Sequence, residues 1–282
     1  MDTFMYGQDT LSVNENSDLE QARKEFKNGY NILGLNGKLN TDFLQEFSRI
    51  FADIKLLSLF NEINADHSFL YTLKHLEKLS VGTMFNEIDF GQLSQLSTLK
   101  MRWNKKSIHN LHKQNTLKDL LVSEFDEENL EHINMLENLS CLSFKTAKCK
   151  SLKGVGKLKK LKAISLGVLR SLTDITNIRE LDSLEYIEFD SCPKMVDFSA
   201  LGTAKRLKAI ELENCRNLAS VSFVRNLPEL TQLRLTGSTV VNDFDLMPAK
   251  NIKTVYARNK KYNINFESKL DFEDLVTFGD YV

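Results

Sequence analysis

One spacing of apolar residues recurs along most of this chain. The stretch Leu207-Lys-Ala-Ile210-Glu-Leu212-Glu-Asn-Cys215-Arg-Asn-Leu218 reads L-x-x-I-x-L-x-x-C-x-x-L. Versions of its first half begin at Tyr30, Ile54, Leu76, Leu96, Leu117, Leu139, Leu161, Leu184, Leu207, Leu230 and Ile252, separated by 20 to 24 residues. A chain without internal repeats would not hold that register. Side chains alternate along a strand, so the apolar positions of L-x-x-L-x-L face a core and the residues between them face outward.

The connecting segments are short. In Asp174–Leu181 and Val221–Leu227 apolar residues fall every two to four positions, which suits 3₁₀ turns or brief helices. Phe43, Leu44, Phe47, Ile50 and Phe51 form a helical stripe, and its aromatic load reads as core. The units Leu161–Leu166, Leu184–Phe189, Leu207–Leu212 and Leu230–Leu235 carry a resemblance to leucine-rich-repeat proteins of the short-period, internalin-like type. The resemblance covers roughly residues 30–260. It implies an α/β leucine-rich-repeat solenoid: a curved parallel sheet on the concave face, with short helices or 3₁₀ turns on the convex face. One departure recurs. The position often held by asparagine reads Met84, Asn104, Phe125, Ala147, Leu169, Cys192, Cys215 and Ser238, which predicts turns held more by packing than by side-chain hydrogen bonds.

Three regions follow from the pattern. Residues 1–29 are a leader plus a capping helix. Residues 1–16 lack periodicity, and Ser17 stands at capping-box spacing from Glu20 ahead of Leu19, Ala22 and Phe26, with Asn28-Gly29 as the stop. Residues 30–261 are the array of about eleven repeats. Residues 262–282, where apolar and acidic positions alternate, are a C-terminal cap, with docking on a partner as the alternative.

Composition narrows the function by exclusion. With 37 basic and 38 acidic residues, no general attraction to nucleic acid or anionic membrane is expected. The start Met1–Asp9 has no basic and apolar regions of a signal peptide, and no apolar run reaches membrane-spanning length. The four cysteines, Cys141, Cys149, Cys192 and Cys215, contain no C-x-x-C pair. A cytoplasmic protein is the expectation. Cys192 and Cys215 occupy equivalent positions in adjacent repeats, within reach of a bridge, but read better as buried thiols.

No catalytic motif is present, and no enzyme activity, cofactor, metal or small-molecule substrate is expected. Lys153-Gly-Val-Gly-Lys157 lacks the spacing and following hydroxyl of a phosphate loop and reads as a turn. His109 and His112 are three apart but have no further ligand nearby in sequence, so they read as a solvated helical face.

Stacking the repeats turns the outward positions into a grid. Its N-terminal part offers Ile32, Leu56, Ser58, Phe60, Lys78, Ser80, Thr98, Lys100 and Arg102, with Trp103 beside them. The middle, Cys141, Ser143, Ala163, Ser165 and Gly167, is small and neutral. Tyr186, Glu188 and Asp190 then stand beside Ala209, Glu211 and Glu213, followed by Gln232, Arg234 and Thr236, and by Thr254, Tyr256 and Arg258. Glu188, Asp190, Glu211 and Glu213 form a square of carboxylates whose like charges repel across strands. Either solvent with Arg234 and Arg258 screens them, or a cationic partner uses them. Trp103 with Lys100 and Arg102 is a second candidate contact, since tryptophan and arginine are favoured interface anchors.

The expected function is a protein-recognition module whose contact surface runs from Tyr186 to Arg258 and whose partner presents a basic patch. Two finer readings stand beneath it: a stand-alone inhibitor or immunity-type protein that neutralises a basic toxin or nuclease, and a structural or signalling adaptor.

Overall fold

The computed structural model describes residues 10–62, 66–83, 86–264 and 275–282. The chain divides into two compact units, Met1–Leu121 and Val122–Val282.

In the N-terminal unit, strands β1 (Thr10–Val13), β2 (Ile32–Leu35), β3 (Leu56–Glu62), β4 (Lys78–Thr83) and β5 (Thr98–Arg102) pair in parallel, each with the next. The first is a correction. Thr10–Val13 belongs to the sheet and is not loose leader, since Thr10 pairs with Ile32 and Val13 with Leu35. Its apolar Leu11 and Val13 stand in register with Leu33 and Leu35 of the next strand. Helix α1 (Leu19–Lys27) follows, as the apolar stripe predicts. Its cap is Asp18, whose carboxylate accepts from Gln21 N–H at 3.0 Å, while Ser17 Oγ instead accepts from Asn14 N–H. Helix α2 (Thr41–Ile50) starts where Asn40 Oδ1 accepts from Phe43 N–H at 2.8 Å. Its aromatic stripe is core: Phe47 stacks between Phe43 and Phe51 at 6.5 and 5.0 Å between ring centroids.

The division between the units falls within β6 (Asp119–Ser123). In the C-terminal unit, β7 (Cys141–Phe144), β8 (Ala163–Gly167), β9 (Tyr186–Asp190), β10 (Ala209–Glu213), β11 (Gln232–Thr236) and β12 (Thr254–Ala257) pair in parallel in chain order. Every core position from Leu139 through Leu212 is at most 1 % exposed. Burying an aliphatic side chain fully contributes about 1.5–3 kcal/mol relative to exposure, so this ladder of leucines, isoleucines and phenylalanines is what fixes the register. The first repeat is looser, for Tyr30 is 36 % exposed.

Two devices turn the chain between strands. Directly after β6, β8, β9, β10 and β11 stand Glu124, Val168, Ser191, Asn214 and Gly237, all left-handed with φ between 51° and 59°. Glycine meets that requirement without strain, whereas β-branched Val168 is strained there. A Cβ on Gly237 would also fall 2.1 Å from Asn214 Oδ1. On the far side of the repeat, a short polar residue accepts from the N–H two residues on: Asp66 from Ser68, Asp89 from Gly91, Asn129 from Glu131, Asp174 from Thr176, Asp197 from Ser199 and Ser220 from Ser222. These Asx- and Ser-type turns lead into 3₁₀ turns such as Thr176–Glu180 and Ser222–Asn226, where the apolar spacing places them.

The cysteine positions depart from pure packing. Cys192 Sγ lies 3.8 Å from Leu166 O and 3.6 Å from Asp190 O, and Cys215 Sγ lies 3.4 Å from Phe189 O and 3.3 Å from Glu213 O. The thiols thus reach carbonyls at the C-terminal ends of the strands. Both are free and buried. The hydrogen bond shared with Cys215, and then burial, push the Cys192 thiol up. Met84 lies outside the described residues. Lys153–Lys157 is a turn, with Gly154 at φ 99° opening a 3₁₀ helix at Val155. The two histidines do not share a helical face: His109 ends a two-residue strand, His112 sits in the 3₁₀ turn Leu111–Lys113, and His109 Nε2 lies 3.3 Å from Glu87. Among the described residues no group of three or more potential ligands could hold a metal ion, and no helix is long and apolar enough to cross a membrane.

Candidate recognition surface

The open face of the C-terminal sheet, opposite its core, consists of rows set by strand register. The first row is Cys141, Ala163, Tyr186, Ala209, Gln232 and Thr254. The second is Ser143, Ser165, Glu188, Glu211, Arg234 and Tyr256. The third is Gly167, Asp190, Glu213 and Thr236. The carboxylate square is therefore real in register, with Glu188 opposite Glu211 and Asp190 opposite Glu213.

Its four members are not equivalent. Glu211 is half-buried and held by Arg234 at 2.8 Å and by Gln232 Nε2 at 3.0 Å. Burial nevertheless raises its pKa above the usual glutamate value, against the lowering effect of Arg234. Glu188 accepts from Ser165 Oγ at 2.9 Å and more weakly from Tyr186 OH at 3.5 Å. Asp190 accepts from Ser191 Oγ at 2.8 Å. Glu213 is exposed, and its register neighbour on β11 is Thr236, which carries no charge. The inner pair is thus satisfied by groups of neighbouring strands, whereas in the outer pair Glu213 is exposed and Asp190 is half-buried, accepting also from Asn214 Nδ2 at 3.4 Å. Arg258 does not join the screen; its guanidinium stacks over the Tyr256 ring at 4.9 Å.

From Cys141 to Gln232 the first row is not open to solvent. Residues 275–282 return to the sheet and lie across it. Val276, Phe278, Tyr281 and Val282 pack on a floor of Cys141, Ala163, Tyr186 and Ala209. Tyr186 meets Phe278 and Tyr281 at ring-centroid distances of 6.3 and 5.9 Å, and is 2 % exposed. Burial, followed by Glu188 and Glu211, raises its phenol pKa. The Gln232 amide grips the main chain of Val276 from both sides, donating to its carbonyl at 2.9 Å and accepting from its N–H at 3.0 Å. Cys141 Sγ donates to Tyr281 O at 2.8 Å. The segment is preshaped: Thr277 and Asp280 form a capping box around the 3₁₀ turn Phe278–Tyr281. Burial, then Glu185 and Asp280, push the Tyr281 hydroxyl up to about 12.

No family model matches the sequence, and no curated protein matches it. Solved structures do. An internalin, InlF of Listeria monocytogenes, aligns with a TM-score of 0.56 at 17% identity over 75% of this chain and 60% of that one. Toll, in the Drosophila Toll–Spatzle complex, aligns at 0.62 with 11% identity over 83% of this chain and 34% of that one. TLR13, in its complex with ssRNA13, aligns at 0.51 with 13% identity over 82% and 44%. The chain thus spans less than two thirds of each of these structures. Identity this low speaks to the fold alone.

The fold is a leucine-rich-repeat solenoid of the short-period, internalin-like type.

Within this leucine-rich-repeat sheet, sequence reading places the rows correctly but not their cover. Tyr186 is buried beneath the 275–282 segment and is not an exposed contact. Gln232 is likewise buried, engaged with Glu211 and Val276. The second candidate contact lies in the N-terminal unit, where Trp103 is 7 % exposed, a buried side chain and no surface anchor. Lys100 is half-buried beside Ser80, and Arg102 is exposed. The predicted C-terminal cap divides in two. Tyr262 OH accepts from Val241 N–H at 3.1 Å and Asn263 Oδ1 from Leu246 N–H at 2.9 Å, closing the last repeat, whereas 275–282 covers the open face. The alternating stretch 265–274 lies outside the described residues. The signal for the missed contact was present as Val276, Phe278, Tyr281 and Val282 beside the small residues Cys141, Ala163 and Ala209, bulk without a core next to a trough without filling.

Proposed function

We propose that this chain is a non-enzymatic recognition module that binds a protein partner through the open face of its C-terminal sheet. The observation that supports the reading is the seating of residues 276–282. That face takes up polypeptide, with an apolar floor for side chains and the Gln232 amide for main chain. Tyr256, Arg258 and the outer carboxylates Asp190 and Glu213 extend the surface beyond the covered row. The partner presents lysine or arginine opposite Asp190 and Glu213, neither of which has an arginine beside it in register. A neutralising inhibitor of a basic protein, such as a toxin or nuclease, fits this outer pair better than an adaptor does, because an adaptor needs no concentrated charge. Four buried free thiols favour a reducing, cytoplasmic setting.

The test is affinity capture from the native host with the full chain, at two salt concentrations and with nuclease-treated lysate. The reading expects a basic protein that is retained at low salt, weakens at high salt and is lost with Asp190→Lys/Glu213→Lys. Capture that disappears on nuclease treatment would point to nucleic acid instead. Capture indifferent to the double charge reversal would remove this face from the interface.

A further inference from the structure

We propose that the first row of the C-terminal sheet is a peptide-binding groove, and that residues 275–282 are its resident occupant, which a partner's segment of like chemistry must displace. The inference rests on the reading that this face recognises a protein, and it adds the class of ligand and the step that gates access.

The groove has the features of a site and not merely of a packed surface. Its floor narrows to small side chains at Cys141, Ala163 and Ala209, with Tyr186 the single large residue among them. Alternating strands put these residues outward, where folding of the repeat core does not need them apolar; the polar Ser143 and Ser165 occupy the next row of the same strands. At one end the Gln232 amide makes two hydrogen bonds to a single residue's main chain. That contact reads peptide backbone and is indifferent to the side chain that follows. Glu211 fixes the amide by accepting from the same Nε2, and Arg234 fixes Glu211 in turn. At the other end the Cys141 thiol takes the carbonyl of Tyr281.

The occupant defines what fits. An aliphatic residue at the Gln232 end is followed two positions later by an aromatic, and three further on by a second aromatic and an aliphatic: Val276, Phe278, Tyr281, Val282. The two aromatics flank Tyr186. Between them Thr277, Gly279 and Asp280 are exposed, so the groove selects on the apolar positions and on a turn between them. A partner segment therefore carries the pattern aliphatic-x-aromatic-x-x-aromatic-aliphatic with a self-capped turn. None of the resident side chains is fully buried, and the contact is made by a handful of groups. Such a cover can be exchanged without unfolding the repeats, whose core leucines lie on the other face of the strands. Tethering gives the resident segment an effective concentration on the order of mM, so a free peptide competes poorly until the resident is weakened.

The experiment uses a fluorescently labelled peptide of sequence LVTFGDYV and the full chain in three forms: unaltered, Phe278→Ser/Tyr281→Ser, and that double variant with Gln232→Ala added. Peptide binding is read by polarisation, and integrity of the repeats by urea unfolding and hydrogen exchange in Ile164–Leu166 and Ile210–Leu212. The expected result is binding at least about tenfold tighter to the double variant than to the unaltered chain, because a resident that fills 90 % of the grooves reduces apparent affinity by that factor. Adding Gln232→Ala should weaken it again. A double variant that keeps its core protection but binds the peptide no better than the unaltered chain overturns the proposal, as does binding unaffected by Gln232→Ala. Failure of the broader reading looks different. If peptide exchange behaves as stated but no host protein depends on Asp190 and Glu213, the groove stands and the charged-partner reading falls. If a host protein depends on them but peptide exchange fails, the reverse holds.

Discussion

The first and third rows of the C-terminal sheet come from the same five-residue strands, yet one is roofed by polypeptide and the other is left to solvent. Alternation sends both rows outward, so the difference is not in the backbone. It lies in what stands beside each residue. The first row sets a tyrosine among cysteine and alanines and ends on an amide, a surface that gains by being covered. The third sets Asp190 against Glu213, whose desolvation would cost more than any contact returns. The second row grades between them, with Glu211 drawn under cover and neutralised by Arg234. The face is therefore organised from an apolar trough to an acidic edge, and its two sides should respond oppositely to mutation.

The largest effect is expected at the floor. Tyr186→Ala removes a buried ring and leaves the undersides of Phe278 and Tyr281 without a partner, and should cost about 3 kcal/mol or more of stability in urea unfolding. A loss below 1 kcal/mol would mean that the roof is not packed as described. Phe278→Ala, half-buried and at the roof, should cost about 1–2 kcal/mol and speed amide exchange in 275–282 more than in the strands.

Glu211 sharpens the middle of the gradient through pH. Burial raises its folded pKa above the ordinary glutamate value of about 4.5, so the folded state holds the proton more tightly than the unfolded state. Its contribution is fully present below about pH 4.5 and is lost as pH rises through the raised value. Glu211→Gln removes that dependence. The stability of the original chain relative to the variant should therefore fall as pH rises from 4 toward neutrality. Asp197 gives the opposite slope. Hydrogen bonds from Ser199 lower its pKa from 3.8, so its contribution is present above that value and is lost as pH falls through the lowered one. Asp197→Asn, which can still accept from Ser199 N–H, should flatten that part of the acid limb.

The smallest effect on folding belongs to the acidic edge. Asp190→Lys/Glu213→Lys should change stability by no more than about 1.5 kcal/mol, since Glu213 is exposed and half-buried Asp190 loses its hydrogen bonds from Ser191 and Asn214, while abolishing capture of a basic partner. A large destabilisation would make the edge structural and void its use as a binding probe.

The repeat core and the strand register could be read from the chain because the code is local. Leucine-type residues at a 20–24-residue period place Glu188 beside Glu211 without any knowledge of the fold. What could not be read depends on distance or on backbone conformation. Residues 275–282 meet Cys141 across 140 positions of sequence, and their apolar pattern alone fits a terminal cap equally well. Trp103 stands at a strand exit, where spacing does not decide between rim and interior. The left-handed turn after β6, β8, β9, β10 and β11 is filled by glutamate, valine, serine, asparagine and glycine in turn, so no residue type announces it. The Asx turns are the converse case: Asp174 and Asp197, with Ser220 after them, recur every 23 residues in plain sight.

The most direct measurement is amide exchange at Val276 in the full chain, read site by site with and without Gln232→Ala. If the open face holds polypeptide as described, the Val276 N–H is protected by Gln232 Oε1, and the substitution releases it while Ile187 and Ile210 keep their protection. A Val276 N–H that exchanges at the rate of an unstructured chain in the unaltered protein would contradict the account.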